Sequence, residues 1–181
     1  MPSVREVIPG RLTIRKGDIS QSKTQAVVNA ANTELWMGSG VAGALKERGG
    51  DAIEREAMAQ APIRPGGSVM TQGGELYSDY VIHVATMEVG EPATQRSVRM
   101  GTMGALALAK DNGVDTIAFP ALGAGVGGIS LEECAHAMLP VISRWLRENE
   151  LPGMVDVLLF SDDDLNTFLK VWEELKLEGE L

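Results

Sequence analysis

The sequence predicts an α/β protein with three layers, α/β/α, built around a mixed, mostly parallel central sheet. In the second half of the chain, apolar strand segments alternate with helical segments. Strands joined by helices pair in parallel and carry helices on both faces. Near the N-terminus, two short strand-like segments flank Pro9-Gly10, which indicates an antiparallel hairpin at a sheet edge. The chain has 181 residues, and we expect residues 1–181 to form one domain.

Five strands are predicted in the first half of the chain, because apolar runs of strand length lie between turn residues. They cover residues 4–8, 11–14, 26–30, 68–72 and 80–85. Two helices separate the third and fourth of these strands, at residues 41–48 and 52–60. Gly49-Gly50 should end the first helix, and Asp51 should cap the second.

The second half contributes three helices and two strands. A helix over 94–112 carries apolar residues near one face, namely Val98, Met103, Leu106 and Ala109. A buried strand follows at 115–119. The run from Ser130 to Glu133 has the form of a capping box, so a helix is expected from Leu131 to about residue 149. The last strand covers 154–160, and the acidic run 162–164 marks the start of a final helix.

Composition limits the classes of function. Sixteen basic and 25 acidic residues give a net charge of −9, which opposes nonspecific binding to nucleic acid. No apolar run approaches the length of a membrane span, and the first residues lack the apolar core of a signal peptide, so we expect a cytoplasmic protein. The acidic balance favours a monomer. One cysteine and two histidines argue against a zinc site, and we expect neither metal nor cofactor.

A glycine-rich loop between a predicted strand and the capped helix is the clearest candidate for a ligand site. It comprises Gly123, Ala124, Gly125, Val126, Gly127 and Gly128. Glycines can turn N–H groups toward an anion, and the helix N-terminus adds positive dipole. The loop also satisfies Gly-x-Gly-x-x-Gly, so a dinucleotide-binding enzyme is an alternative. That alternative fits poorly, because only one strand follows the loop. No Gly-Lys-Ser/Thr follows, which excludes a Walker phosphate loop.

A second, shorter loop, Gly38-Ser39-Gly40, precedes Val41 at the start of a predicted helix. By itself it is equally consistent with an ordinary loop and helix start. Two such loops from different parts of the chain suggest a pair of phosphates held from two sides. Asn29 and Asn32 follow an apolar run near the end of a predicted strand, where they are placed either to bind a ligand or to form a turn and helix cap.

Three further residues suggest recognition of a nucleobase. The Asp18 carboxylate can accept a hydrogen bond from an exocyclic amine, while the Ile19 amide can donate to a ring nitrogen. Phe160, at the end of the last strand, can stack on a base. The competing interpretations are a Gly-Asp turn for Asp18 and core packing for Phe160. Trp36 lies in the first loop, where it can flank a ligand.

The two histidines and the cysteine have simpler interpretations. His83 lies within an apolar strand, and we interpret it as a hydrogen-bonded core imidazole rather than a base. Cys134 and His136 lie on the helix after the glycine loop without an evident partner, so we interpret them as packing or surface residues.

Four motifs in this order resemble the macro domain, the ADP-ribose-binding module. They are Gly17-Asp18-Ile19, Val27-Val28-Asn29-Ala30-Ala31-Asn32, the loop Gly38-Ser39-Gly40-Val41, and Pro120 through Gly128. The similarity spans about residues 17–172. It implies that ADP-ribose lies across the carboxyl edge of the sheet. Asp18 and Ile19 then resemble the adenine-selecting pair, and Phe160 the adenine-stacking aromatic. Asn32 resembles the residue that orients the distal ribose, and the loops 38–41 and 123–128 those enclosing the diphosphate.

Two departures from the family bear on catalysis. Where the branch known for removing mono-ADP-ribose from proteins has Asp after Val41, this chain has Ala42, and Gly127 stands where many members have an aromatic. The Ala variant resembles an archaeal-type branch that binds tightly and in some members hydrolyses. The resemblance therefore implies a protein that binds ADP-ribose or an ADP-ribosylated macromolecule. It leaves open whether the chain is a pure reader or a slow hydrolase of mono-ADP-ribosyl protein or ADP-ribose-1''-phosphate, with Asn32 as the catalytic residue.

Overall fold

The computed structural model describes residues 4–181, which form a seven-stranded mixed sheet. The strands are β1 (Val4–Ile8), β2 (Leu12–Lys16), β3 (Ala26–Asn32), β4 (Ser68–Gln72), β5 (Tyr80–Met87), β6 (Thr116–Phe119) and β7 (Met154–Leu159). Their order across the sheet is β1-β2-β7-β6-β3-β5-β4. The five inner strands are parallel, while β1 and β4 pair antiparallel at the two edges. The expected mixed sheet and N-terminal edge hairpin are confirmed.

Five helices cover the two faces of the sheet, so the predicted three layers are present. They are α1 (Gly40–Gly49), α2 (Asp51–Met58), α3 (Gln95–Asp111), α4 (Leu131–Glu148) and α5 (Asp162–Glu178). Helices α3, α4 and α5 pack on one face and α1 and α2 on the other. No helix within residues 4–181 is both long and apolar enough to cross a membrane.

Alternation along the strands explains how two cores form. Val28 and Ile82 face the larger core beneath α3, α4 and α5, whereas their neighbours Val27 and Val81 face the smaller core beneath α1 and α2. Successive side chains of a strand point to opposite faces, so a strand covered by helices on both sides is expected to be mostly apolar along its length. This accounts for the continuous apolar runs that marked the inner strands.

Helix α4 begins with the predicted capping box. The Glu133 amide donates to Ser130 Oγ at 3.1 Å, and the Ser130 amide donates to the Glu133 carboxylate at 2.8 Å. These hydrogen bonds hold the pKa of Glu133 below its usual value. Two backbone donors are satisfied before the helix starts, which fixes the point where the glycine loop gives way to α4.

Two local predictions are wrong. Asp51 is the first residue of α2 rather than its cap, because Gly50 occupies that position with φ +96° and provides no side-chain hydrogen bond. Met103 is 52% exposed rather than packed on the buried face of α3. The buried residue is its neighbour Thr102, whose hydroxyl donates to the Val98 carbonyl one turn earlier at 2.8 Å.

Candidate ligand-binding site

A cleft of about 760 Å³ opens at the carboxyl ends of the parallel strands. The strand order determines what lies along it. Asp18 follows β2, Phe160 follows β7, the glycine loop follows β6, and Asn32 ends β3. Because β2, β7, β6 and β3 are neighbours in that order, these four features form a row across the edge of the sheet.

The cleft brings together all but one of the predicted site residues. Its lining includes Asp18, Ile19, Asn32, Gly38, Ser39, Gly40, Val41, Gly123, Ala124, Gly125, Val126, Gly127 and Phe160, together with Trp36. Gly128 is not among these lining residues, and its contact with a ligand stays a prediction. Its amide donates to the Gly125 carbonyl at 3.1 Å and its φ is +81°, so Gly128 closes the turn beneath the loop.

The two loops present backbone donors without protein acceptors. Within residues 4–181, the amides of 38–41 and 123–127 donate to no backbone or side-chain acceptor of the protein. Ser39, at the N-terminus of α1, provides no side-chain cap. Gly40 and Gly125 have φ of +60° and +69°, a conformation that glycine adopts without a steric cost. Unpaired amides beside a helix N-terminus favour an anionic group in the cleft.

Asp18 serves as a turn cap and also lines the cleft. Its Oδ1 accepts hydrogen bonds from the Ser20 amide at 2.9 Å and the Ser20 hydroxyl at 2.7 Å, while Oδ2 accepts from Gln21 at 3.1 Å. The Ser20 hydroxyl is the main cause of the lowered pKa of Asp18, so this carboxylate is ionised. The turn interpretation is therefore correct, and Oδ2 still has lone-pair capacity for a ligand donor.

Asn32 is held by the loop that follows it. Its Oδ1 accepts from the Glu34 amide at 3.0 Å, and its Nδ2 donates to the Trp36 carbonyl over a long 3.4 Å. The side chain is buried but lines the cleft. A primary amide has two N–H donors, so Nδ2 retains one donor for a ligand hydroxyl.

Apolar side chains form the rim of the cleft. Phe160 is 89% exposed, Val126 is 72% exposed and Trp36 is 43% exposed. The core-packing alternative for Phe160 is therefore wrong, since this ring contacts solvent at the mouth of the cleft. A Cβ placed on Gly38 would lie 2.7 Å from Cζ3 of Trp36, so the indole lies directly against the first loop.

The charged residues of the cleft are acidic. Among the described residues that line it, Asp18 and Asp164 carry charge, and none is a lysine, arginine or histidine. An anion in this cleft would therefore depend on backbone N–H groups and the dipoles of α1 and α4 for its counter-charge.

Asn29 and His83 lie inside the protein, away from the cleft lining. His83 is fully buried, and burial lowers its pKa from 6.5 to about 4, so the core-imidazole interpretation is correct. Asn29, which the sequence placed with Asn32 as a candidate ligand contact, pairs with this imidazole instead. Cys134 is also buried, and burial raises its thiol pKa.

The fold and the cleft define an α/β protein with an open cleft at the carboxyl edge of a mixed sheet. A family model for the macro domain matches residues 28–138, and the chain belongs to that family. An uncharacterized protein of Aeropyrum pernix is 45% identical over 128 residues, which are 69% of this chain and 67% of that protein. A Pantoea vagans protein named O-acetyl-ADP-ribose deacetylase 1 is 30% identical over 89% of this chain and 98% of its own length.

Solved structures give the same assignment. An Oceanobacillus iheyensis macrodomain with ADP superposes with a TM-score of 0.85 at 27% identity, covering 97% of this chain and 96% of the other. A Trypanosoma brucei macrodomain in complex with ADP-ribose gives a TM-score of 0.81 at 28% identity, covering 88% of this chain and 68% of the other. The predicted macro-domain fold is confirmed.

Proposed function

We propose that this chain binds ADP-ribose, either free or as an ADP-ribosyl group attached to another molecule, in the cleft at the strand ends. The observation that carries the proposal is the pair of loops, 38–41 and 123–127, whose amides have no acceptor within residues 4–181 and line one cleft. A diphosphate between them would receive hydrogen bonds from both sides. The Trypanosoma brucei macrodomain in complex with ADP-ribose supports the choice of ligand.

The order of features along the sheet edge supports one orientation of the ligand. Adenine would lie between Asp18 and the Phe160 ring, over β2 and β7. Oδ2 of Asp18 would accept from the exocyclic amine, and the Ile19 amide, which has no acceptor within residues 4–181, would donate to a ring nitrogen. The diphosphate would then lie over β6, and the distal ribose would reach Asn32 at the end of β3.

We further propose slow hydrolysis at the distal ribose. Asn32 would orient the ribose with its free N–H, and the amides of the two loops would stabilise negative charge on the diphosphate as a bond breaks. Ala42, which is buried at the N-terminus of α1, provides no acid or base. Positioning of the water would therefore rely on the substrate's own phosphate. The substrates would be mono-ADP-ribosyl protein, ADP-ribose-1''-phosphate or, following the Pantoea vagans relative's name, O-acetyl-ADP-ribose.

Calorimetry with ADP-ribose and NAD tests the binding proposal. ADP-ribose binding that weakens about tenfold or more in Asp18→Ala supports it. Selective binding of NAD would instead support the dinucleotide-binding enzyme that the Gly123–Gly128 loop first suggested. No binding of either ligand would overturn the proposal.

Incubation with mono-ADP-ribosylated protein, ADP-ribose-1''-phosphate and O-acetyl-ADP-ribose separates a hydrolase from a reader. Release of free ADP-ribose, at a rate that falls in Asn32→Ala, supports hydrolysis. Tight binding of all three with no product above the uncatalysed rate would show that the protein is a reader without catalysis.

A further inference from the structure

Two helices bring three metal-ligating side chains together on the surface. Glu132 and His136 are four residues apart on α4, so they share one face of that helix. Glu174 reaches the same place from α5. One donor atom from each residue, a carboxylate oxygen or an imidazole nitrogen, lies within 4.8 Å of the other two.

Two of these three side chains have no hydrogen-bond or ion-pair partner among the described residues, and the third has one ion pair. Within residues 4–181, neither Glu132 nor His136 makes a protein hydrogen bond or ion pair, although His136 is half-buried. Glu174 lies 3.5 Å from the Lys170 ammonium, one turn earlier on α5. Two carboxylates held this close repel each other unless a cation lies between them.

We propose that Glu132, His136 and Glu174 bind a divalent first-row transition metal ion, for which Zn²⁺ is the reference, and that the ion joins α4 to α5. An imidazole nitrogen among the ligands favours such an ion over Mg²⁺ or Ca²⁺, which prefer all-oxygen sites. Ligand bonds near 2.1 Å place tetrahedral donors roughly 3.4 Å apart, so donor atoms now up to 4.8 Å apart must approach each other by at most about 1.4 Å. Glu132 is exposed and Glu174 is half-buried, so both side chains can make this movement, and water would complete the coordination.

The site is separate from the ligand cleft, because none of its three residues lines the cleft. Its role is therefore structural: the ion would hold the start of α4, which follows the glycine loop, against α5. The proposal does not depend on ADP-ribose binding. It also departs from the sequence-based expectation that two histidines and one cysteine leave no metal site, since two of the three ligands are glutamates.

Calorimetric titration of tag-free, chelator-treated protein with ZnCl₂ and with MgCl₂ tests the site. We expect one Zn²⁺ per chain with a micromolar dissociation constant and no saturable binding of Mg²⁺. His136→Gln and Glu174→Gln should each weaken Zn²⁺ binding about tenfold or more, because each removes one of three protein ligands. Glu173→Gln, next to Glu174 on α5 and paired with Arg5 at 3.6 Å, is the matched control and should change it less than twofold.

Removal of the Lys170 ammonium, which competes with the metal for Glu174, should strengthen Zn²⁺ binding where the other substitutions weaken it. Lys170→Met should tighten Zn²⁺ binding severalfold, because Glu174 is then free of its ion pair. At a hundredfold excess over the dissociation constant, Zn²⁺ should raise the wild-type Tm by about 5 °C or more and raise that of His136→Gln by about half as much or less. Equal loss of affinity in Glu173→Gln and Glu174→Gln, or no saturable Zn²⁺ binding by the wild type, would overturn the proposal. Unfolding without metal shows that each variant is folded.

Discussion

Asn29 Nδ2 lies 3.0 Å from His83 Nδ1 across neighbouring strands of the sheet, and His83 Nε2 lies 2.9 Å from Thr71 Oγ1 on the next strand. An amide N–H only donates, so Nδ1 must accept and the imidazole must carry its proton on Nε2. The Thr71 hydroxyl then accepts a hydrogen bond from Nε2–H of His83 and donates its own to the Gln72 carbonyl at 3.1 Å. This chain of donors and acceptors fits neutral His83 and leaves no acceptor for a second ring proton.

The first prediction concerns acid stability. The pKa of His83 is about 4 in the folded protein and 6.5 when exposed, so between these values the unfolded state binds a proton that the folded state does not. The stability contributed by neutral His83 is complete above pH 6.5 and is lost as the pH falls toward 4. The loss should reach roughly 3 kcal/mol.

Chemical denaturation of wild type and His83→Gln from pH 7.5 to 4 measures this contribution. The variant should lose less stability across that interval, because it has no group titrating there at this position. NMR titration of the His83 ring gives the pKa directly if the variant is too unstable to compare. A folded-state pKa above 6 would contradict the prediction.

The second prediction separates the two roles of Asp18. Asp18→Asn keeps an Oδ1 acceptor for Ser20 and should leave the Tm within about 2 °C, whereas Asp18→Ala also removes the cap and should cost about 1 kcal/mol. Both variants should bind ADP-ribose about 10- to 100-fold more weakly, because the charged acceptor for the adenine amine is lost.

A ligand without that amine provides the control for Asp18. Inosine-diphosphate-ribose should bind the wild type more weakly than ADP-ribose, and the difference should disappear in Asp18→Asn. Calorimetry measures all four affinities. If the variant keeps the full preference for adenine, Asp18 does not read the base.

The third prediction concerns the ring at the rim. Phe160→Ala should weaken ADP-ribose binding by about 1–3 kcal/mol through loss of base stacking. The Tm should stay unchanged, because the ring is 89% exposed and buries little surface in the free protein. Leu177→Ala, at a side chain that is 88% exposed, is the matched control and should change neither quantity. Loss of stability in Phe160→Ala without loss of affinity would contradict the stacking role.

The fourth prediction concerns Asn32. Asn32→Asp keeps the Oδ1 acceptor for the Glu34 amide but replaces the N–H donor that we assign to the ribose. It should lower hydrolysis of the best substrate about 100-fold or more and ADP-ribose affinity about 10-fold or less, since the donor acts mainly to orient the reacting ribose. Single-turnover rates and calorimetry give the two numbers. Equal losses would show that Asn32 contributes only to binding.

The fifth prediction concerns ionic strength. The charged lining residues are Asp18 and Asp164, and the net charge is −9, so no lysine or arginine among the described lining residues contacts the diphosphate. ADP-ribose affinity should stay constant or rise slightly between 50 and 500 mM NaCl, because salt screens only repulsion. A tenfold weakening over that range would show that a lysine or arginine takes part.

The features that the sequence predicted correctly are set by short-range chemistry. Ser130 and Glu133 are three residues apart, and their reciprocal hydrogen bonds depend only on residues at the start of this one helix. The glycines of both loops likewise indicate, by residue type alone, where the backbone can adopt positive φ. Parallel pairing followed from the alternation of strands and helices, and the family resemblance placed Asp18, Phe160 and Asn32 along the carboxyl edge of the sheet. All three line the cleft at that edge, although the sequence did not predict the strand order that sets their sequence along it.

The errors arise where the position of a side chain depends on strand register or on the packing of distant elements. The buried face of α3 contains Val98, Thr102 and Ala109, and Met103 lies 100° around the helix from Thr102, so an apolar residue was placed on the wrong face. Asn29 lies opposite His83 because of the register between β3 and β5. This register cannot be predicted from the residues near either position in the sequence. Glu132, His136 and Glu174 meet only after α5 packs on α4, so the spacing of two residues on one helix gave no indication of the third.

The donors of the two loops are peptide groups, and this has a chemical consequence. A peptide N–H neither loses its proton nor oxidises under the conditions a protein normally meets, in contrast to lysine, histidine or cysteine. The hold on a diphosphate would therefore be insensitive to acidity and to oxidants for as long as the fold persists. Chemical reagents that modify side chains would leave these diphosphate contacts intact and would act on the adenine and ribose contacts instead.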